Sequence, residues 1–302
     1  MKRAALFFMY DKQGVVDRYV INLLCDMKNN SDTLIVVVNG ELTKQGRDMI
    51  AQYADKLIFR ENKGFDVCAY KCGIEYLTNN DLSKWDELVM FNFTSFGPVY
   101  PFKEMFDDMD KRNVDFWGIT MHYGMETDPY HRCRYKGIPE HIQSSFIAVR
   151  RNMLLSEDFK NYWNKMPEIK DYIDAIVNHE AVFTKHFTDL GYKADVYVDT
   201  SDLKDIHPYP LMLMPVELIK NRKCPVFKRK TFFNYYDEFL DVSTGVQGKE
   251  LYRYLRDNKL YDTDLIWESI LRTANMYDIK ERMQLNYILD ENKDINYNSS
   301  LS

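Results

Sequence analysis

The segment Glu61-Asn62-Lys63-Gly64-Phe65-Asp66 follows a short apolar run, Lys56 to Arg60, and leads into a periodic stretch from Val67 to Leu77. A strand, a glycine-bearing loop and a helix start, in that order, expose unpaired backbone N–H groups and the positive end of a helix dipole, which suits an anion. Two further polar segments close apolar runs in the same half of the chain: Asn39-Gly40 after Thr33 to Val38, and Asn92-Phe93-Thr94 after Glu87 to Phe91. As strands of one sheet, these runs bring their polar ends together at its carboxyl edge, where open α/β folds bind ligands, and form a nucleotide-sized crevice. A basic cluster further on, Lys220, Arg222, Lys223, Lys228, Arg229 and Lys230, could neutralise a diphosphate, soluble or lipid-linked on an anionic membrane face. A solvated basic patch is the plainer reading of those six.

Other chemistry-bearing residues give weaker patterns. His122, His131, Cys133 and His141 match no common zinc spacing. Cys68 and Cys72 share a helical face at i,i+4 and read as packing residues. His141 and Gln143 could bind sugar hydroxyls through directional hydrogen bonds, or pack as a bonded pair. Phe65, Tyr70, Trp117 and Tyr123 could stack on a base or a sugar, with core packing as the default, and Phe232-Phe233-Asn234-Tyr235-Tyr236 could pack on C-terminal helices or touch a membrane.

The elements that must position these residues alternate between apolar runs and amphipathic stretches, the pattern of a sheet with crossover helices. Strands are expected at Ala4 to Met9, Thr33 to Val38, Lys56 to Arg60, Glu87 to Phe91 and Ser145 to Val149, with the block Asp115 to Thr120 before the last of them. Helices are expected over Val15 to Met27, Thr43 to Tyr53, Val67 to Leu77, the region Glu157 to Leu190, and Gly248 to Leu289. The division that follows is a main α/β domain over 1–245, a C-terminal helical segment over 246–289 packed on it, and a polar, Asn/Ser-rich tail over 290–302.

With 302 residues and 45% hydrophobic content, the chain can bury a substantial core. Its 46 acidic residues against 40 basic ones argue against general nucleic-acid binding, so an anionic ligand must be held locally. Five scattered cysteines fit reduced thiols and a cytoplasmic setting. The apolar run near Met1 is too short to span a bilayer and reads as a first buried strand.

Several longer blocks resemble the rhamnan synthesis protein F family. They are Val37-Val38-Asn39-Gly40-Glu41-Leu42, Arg60 to Asp66, Ser95-Phe96-Gly97-Pro98, Asp115 to Thr120, Glu140-His141-Ile142-Gln143-Ser144, and Tyr261-Asp262 with Leu265-Ile266-Trp267. The resemblance implies a GT-A glycosyltransferase fold, a Rossmann-like mixed sheet flanked by helices with a C-terminal helical extension. It implies transfer of a sugar, best associated with dTDP-rhamnose as donor, to an oligosaccharide or lipid-linked glycan of a bacterial surface polysaccharide, of which lipopolysaccharide is one kind. The implied setting is cytoplasmic, at the inner face of the cytoplasmic membrane if peripheral contact occurs.

On that resemblance Asn39 takes the place of a residue that contacts the nucleotide base. The full set of expected donor contacts is Tyr10, Asn39, Glu61, Asn62, Gly64, Asp66, Asn92 and Thr94. Glu180, before a helix and Leu190-Gly191-Tyr192, sits where inverting GT-A enzymes carry their base; helix N-terminal charge complementation is the alternative. Asp115 is the second candidate carboxylate, and Trp117, His141 and Gln143 are the expected sugar or acceptor contacts. GT-A enzymes usually carry Asp-x-Asp after the fourth strand to hold Mg²⁺ or Mn²⁺; Asn92-Phe93-Thr94 offers weaker ligands, which leaves metal use open, with His207 as a lone alternative ligand. Two other classes stay open: a catalytically weakened nucleotide-sugar-binding or scaffolding protein, and a nucleotidyltransferase, for which no Gly-rich pyrophosphorylase loop is present near the N-terminus.

Overall fold

The structure is a computed structural model that describes residues 1–232 and 246–273. Its core is a seven-stranded mixed sheet. The strands are β1 (Arg3–Tyr10), β2 (Thr33–Asn39), β3 (Lys56–Arg60), β4 (Glu87–Asn92), β6 (Phe116–Gly118), β9 (Phe146–Arg150) and β10 (Ala194–Val196), in the order β10-β6-β9-β4-β1-β2-β3. Strand β9 runs antiparallel to both neighbours, while the other pairings are parallel. Two small strand pairs complete the set: β5 (Ser95–Phe96) pairs with β11 (Phe227–Lys228), and β7 (Met121–His122) with β8 (His141–Ile142). This is the Rossmann-like mixed sheet flanked by helices that the resemblance implied.

The near-continuous apolar runs of β1, β2 and β4 are explained by burial on both faces. Side chains alternate along a strand, so Ala5, Phe7 and Met9 of β1 enter one core layer while Ala4, Leu6 and Phe8 enter the other. Helices α1 (Arg18–Asn29) and α4 (Phe102–Met109) cover the first face, and α3 (Phe65–Asn79) the second. Helix α2 (Lys44–Ile50) is shorter than the expected Thr43 to Tyr53: the Thr43 hydroxyl caps its start by accepting from Gly46 N, and past Ala51 the chain tightens into a turn in which Tyr53 N donates to Ile50 O.

The region Glu157 to Leu190 is broken rather than continuous. It holds α5 (Glu157–Asn164), α6 (Tyr172–Ala175), a π-helical turn over Ile176–Glu180, and α7 (Ala181–Asp189). Beyond β10 come α8 (Pro210–Leu213) and α9 (Pro215–Arg222), then α10 (Val246–Asp257) and α11 (Asp264–Thr273). The last two brace the first face through Leu251, Leu255, Leu265, Ile266 and Ile270. Arg272 fixes α11 to the loop before α1 by pairing with Asp11 and Asp17. Phe232 of the expected aromatic run lies in the core; the rest of that run, the expected helical stretch beyond Thr273 and the expected tail fall outside the described residues. Among the described residues no helix is long and apolar enough to cross a membrane.

Candidate active site

Parallel register brings Tyr10, Asn39 and Arg60 level at the carboxyl edge, with Phe8 beside Asn92. Above that edge lies a cleft of about 760 Å³, within the range of small-ligand sites. Its floor is Phe8, Tyr10, Asn92, Phe93 and Thr94. One wall is Asn62 to Asp66, and the other is the segment Glu168 to Glu180 with Ser144 and Lys228.

The first wall is the start of the 15-residue helix α3. Gly64 caps it at φ +71, and a Cβ there would meet Cys68 Sγ at 2.1 Å, so the chain needs glycine at this point. Phe65 follows at φ 52, a conformation a bulky residue adopts only when its surroundings force it. The turn aims the Phe65 ring toward the cleft mouth, edge-on to Tyr172 at 6.2 Å.

Asp66 accepts from Val67 N at 3.0 Å and from Asn92 Nδ2 at 3.3 Å. Burial, reinforced by the Glu180 charge, nevertheless raises its carboxyl to about 6. Asn92 Oδ1 accepts from Thr94 N and Thr94 Oγ1 at 3.1 and 2.6 Å, so its carboxamide closes a local turn. Glu180 ends the π-helical turn, a distortion that recurs at functional sites. Its Oε2 accepts from Ser144 Oγ at 3.1 Å, and Oε1 has no partner among the described residues.

Lys228 is 8% exposed. It is placed by the β5–β11 pairing, in which it lies opposite Ser95, while Arg229 N donates to Thr94 O at 3.1 Å. Lys228 and the Asn92-Phe93-Thr94 turn line the same cleft. The ammonium makes no ion pair or side-chain hydrogen bond with any described residue, and burial pulls it down to about 8 against the attraction of Glu180 and Asp66.

Of the expected donor contacts, the cleft gathers Tyr10, Asn62, Gly64, Asp66, Asn92 and Thr94. Asn39 is fully buried behind the wall. Its Oδ1 accepts from Arg60 Nη1 at 2.6 Å and its Nδ2 donates to Phe65 O at 3.2 Å, so it holds the loop in shape and does not face the cleft. Glu61 is exposed, lies outside the lining and pairs with Lys63, which is part of it.

Four further expected site residues lie outside the cleft lining. Trp117 is fully buried in the core and donates through Nε1 to Glu87 Oε2 at 2.8 Å, so it cannot stack on a sugar. Asp115 precedes β6 at the amino edge, where it accepts from Asn152 Nδ2 and Lys193 N, both at 2.8 Å, and it does not line the cleft. His141 and Gln143 are buried and absent from the cleft lining. The His141 ring stacks on His122 at 4.7 Å and burial lowers its basicity, while their neighbours Ser144 and Ser145 do line the cleft. His207 is also absent from the lining, where Tyr209 appears instead. Of the basic cluster, Lys228 and Lys230 reach the cleft; Arg222 is tied to Asp202 and Glu217, and Lys223 to Glu104.

Sequence reasoning missed Tyr172, Ile169 and Lys170, which come from an irregular segment with no periodic signal, and it did not separate Lys228 from its cluster. For a divalent ion, the cleft offers the carboxylates of Asp66 and Glu180, and at its rim the exposed Glu168, which pairs with Lys170. Among the described residues no three His, Cys, Asp or Glu groups converge. A second cation there would also face the Lys228 ammonium, so the residues do not fit a protein-held Mg²⁺ or Mn²⁺.

A family model described as Rhamnan synthesis protein F matches residues 34–300. A Sinorhizobium fredii protein named uncharacterized protein y4gN is 22% identical over 188 residues, 62% of this chain and 46% of that protein, so the chain spans less than half the length of that relative. Solved structures with similarity include 4-diphosphocytidyl-2C-methyl-D-erythritol synthase from Anaerococcus prevotii, with a TM-score of 0.40 and 12% identity over 65% of this chain and 86% of that one. Core-mannan synthase A from Aspergillus fumigatus gives a TM-score of 0.34 at 10% identity, over 65% and 72% of the two chains. Glucosyl-3-phosphoglycerate synthase from Mycobacterium tuberculosis gives 0.34 at 9% identity, over 50% and 57%. At these scores no residue's role transfers.

Proposed function

Since the chain belongs to the rhamnan synthesis protein F family, we propose that it is an inverting glycosyltransferase that moves a sugar from a nucleoside diphosphate donor to a hydroxyl of a growing bacterial surface polysaccharide. Rhamnose from dTDP-rhamnose is the first donor to test. The reading includes work on the cytoplasmic side, with the acceptor glycan, free or lipid-linked, brought to the cleft.

The observation that carries this reading is Glu180. It is a carboxylate with one oxygen fixed by Ser144 and the other open to a cleft of nucleotide-sugar size, whose opposite wall is a helix N-terminus. In the proposed step the acceptor oxygen attacks the anomeric carbon and gives its proton to Glu180. The bond from that carbon to the diphosphate oxygen breaks, and its electron pair leaves with the diphosphate. Asp66, Asn92 and Thr94 line the donor side, where Asp66, as an acid or a carboxylate, is suited to hold a sugar hydroxyl. Phe65 and Tyr172 supply an aromatic mouth.

The test is turnover of a nucleotide-sugar panel that includes dTDP-rhamnose, with wild type and Glu180→Gln. Donor binding together with Glu180-dependent transfer or slow hydrolysis supports the reading. Binding without any turnover in wild type favours a nucleotide-sugar-binding scaffold, and pyrophosphate release from a sugar phosphate and a nucleoside triphosphate favours a nucleotidyltransferase.

A further inference from the structure

The turn after β4 carries no carboxylate to hold a metal against a diphosphate, yet a leaving diphosphate needs positive charge near it. That turn reads Asn92-Phe93-Thr94, and the Asn92 carboxamide is committed to Thr94 and Asp66. Across the β5–β11 pairing from that turn stands Lys228. A buried ammonium without an ion-pair partner is costly to keep, and Lys228 is such a group, lining the cleft with no ion pair to any described residue.

Resting on the transferase reading, we infer that Lys228 is the diphosphate-neutralising residue of this site and that donor binding proceeds without a divalent ion. As the anomeric bond breaks and its electron pair passes to the diphosphate oxygen, the Lys228 ammonium donates hydrogen bonds to the developing charge. Lys230, at the cleft rim, and the N–H groups at the start of α3 contribute from either side. Burial favours the neutral amine, and an arriving diphosphate reverses that preference, so the lysine charges fully when the ligand is in place.

The experiment titrates the full chain with dTDP, UDP and GDP, and with thymidine as a ligand lacking phosphate, in EDTA and again in Mn²⁺ or Mg²⁺. Wild type, Lys228→Met and Lys228→Arg are compared. The expected result is diphosphate binding by wild type that EDTA leaves unchanged. Lys228→Met then loses about 10- to 100-fold in diphosphate affinity, the range for a charged hydrogen bond, while Lys228→Arg retains most of it. Wild-type affinity should also fall as pH rises above about 8, where the free lysine loses its proton.

Diphosphate binding by wild type only when the metal is present overturns the inference and leaves the transferase reading standing. So does a Lys228→Met variant that binds in EDTA as tightly as wild type. No nucleotide bound by wild type under either condition removes the donor site itself. Removing an unpartnered buried charge does not threaten the fold, and a thermal unfolding curve of each variant confirms that the affinities compare folded proteins.

Discussion

Strand β4 begins at Glu87 and ends at Asn92, and the two edges of the sheet that it joins treat buried charge in opposite ways. At the amino edge Glu87 is fully buried but paired with Arg3 and Arg150, receives the Trp117 indole N–H, and is backed by Asp110, which also pairs with Arg3. At the carboxyl edge Asp66, Glu180 and Lys228 share one cleft, yet none of them forms an ion pair among the described residues. Both edges hold carboxylates and cations at low exposure. The amino edge satisfies its charges by direct ion pairing, while the three groups at the carboxyl edge have no ion-pair partner among the described residues and act on one another only through their charges. Compensated charge supports structure, and uncompensated charge in a cleft marks a binding or reacting site.

The largest effect expected from breaking this contrast is on chemistry. Glu180→Gln keeps the shape of the side chain and its contact with Ser144 but removes the proton acceptor. Turnover should fall by about 10²- to 10⁴-fold, the range for a general base. Donor affinity measured by calorimetry should change much less, and unfolding should be nearly unaffected. Equal turnover in the variant would move the base elsewhere.

Next comes the amino edge. Glu87→Ala leaves two buried guanidinium groups without their shared carboxylate, and breaking a buried pair from one side costs about 3–5 kcal/mol. Chemical denaturation should report that loss through a lower midpoint. A loss below about 1 kcal/mol would show that Asp110 and solvent compensate, and the contrast between the edges would weaken.

The carboxyl edge should respond with the opposite sign. Asp66 is held at about 6, above its ordinary value of 3.8, so the native state becomes relatively less stable as pH rises from about 4 to 6 and carries the whole cost above that. Lys228 is held at about 8, below its ordinary 10.5, so its cost is fully present below pH 8 and is relieved as pH climbs toward 10.5. At pH 7 both penalties apply. Asp66→Asn and Lys228→Met should each stabilise the protein by about 1–3 kcal/mol, allowing for partial solvation, while weakening donor binding. Melting curves between pH 4 and 10 check the sign, because each variant should flatten the profile only within its own window. Destabilisation by both would mean that these groups are already compensated in the ligand-free protein.

The same contrast explains what could be read from the sequence. Strands β1 to β4 and the loops that end them were legible because both faces of the sheet are buried, which writes continuous apolar runs into the chain, and polar residues at the carboxyl ends then stand out. Gly64, Asp66 and Asn92 were found in this way. Glu180 was legible only by resemblance, because a π-helical turn leaves no periodic trace and its helical surroundings are broken into short pieces. Lys228 was one of six basic residues, and what singles it out is a two-residue pairing with Ser95, a contact remote in sequence. Asn39 and Trp117 were placed in the right elements, but the sequence does not say which way a side chain at a strand end turns. One closes the loop onto Arg60, and the other fills the core beside Glu87.

The smallest effect tests the edge assignment itself. Asp115 belongs to a sequence block that suggested chemistry, but its two oxygens tie Asn152 and Lys193 N at the start of β6, beside the point where the Arg150 N–H donates to the Asp115 carbonyl. Asp115→Asn keeps a carboxamide oxygen for one of these donors and replaces the second acceptor with an N–H. The expected loss is about 1 kcal/mol, that of a partly exposed hydrogen bond, with turnover within about twofold of wild type, since 1.4 kcal/mol at the transition state would already be tenfold. Measuring kcat and stability on the same preparation separates the two roles. A tenfold fall in kcat at unchanged stability would mean that the amino edge participates in the reaction, and the division of labour along β4 would have to be abandoned.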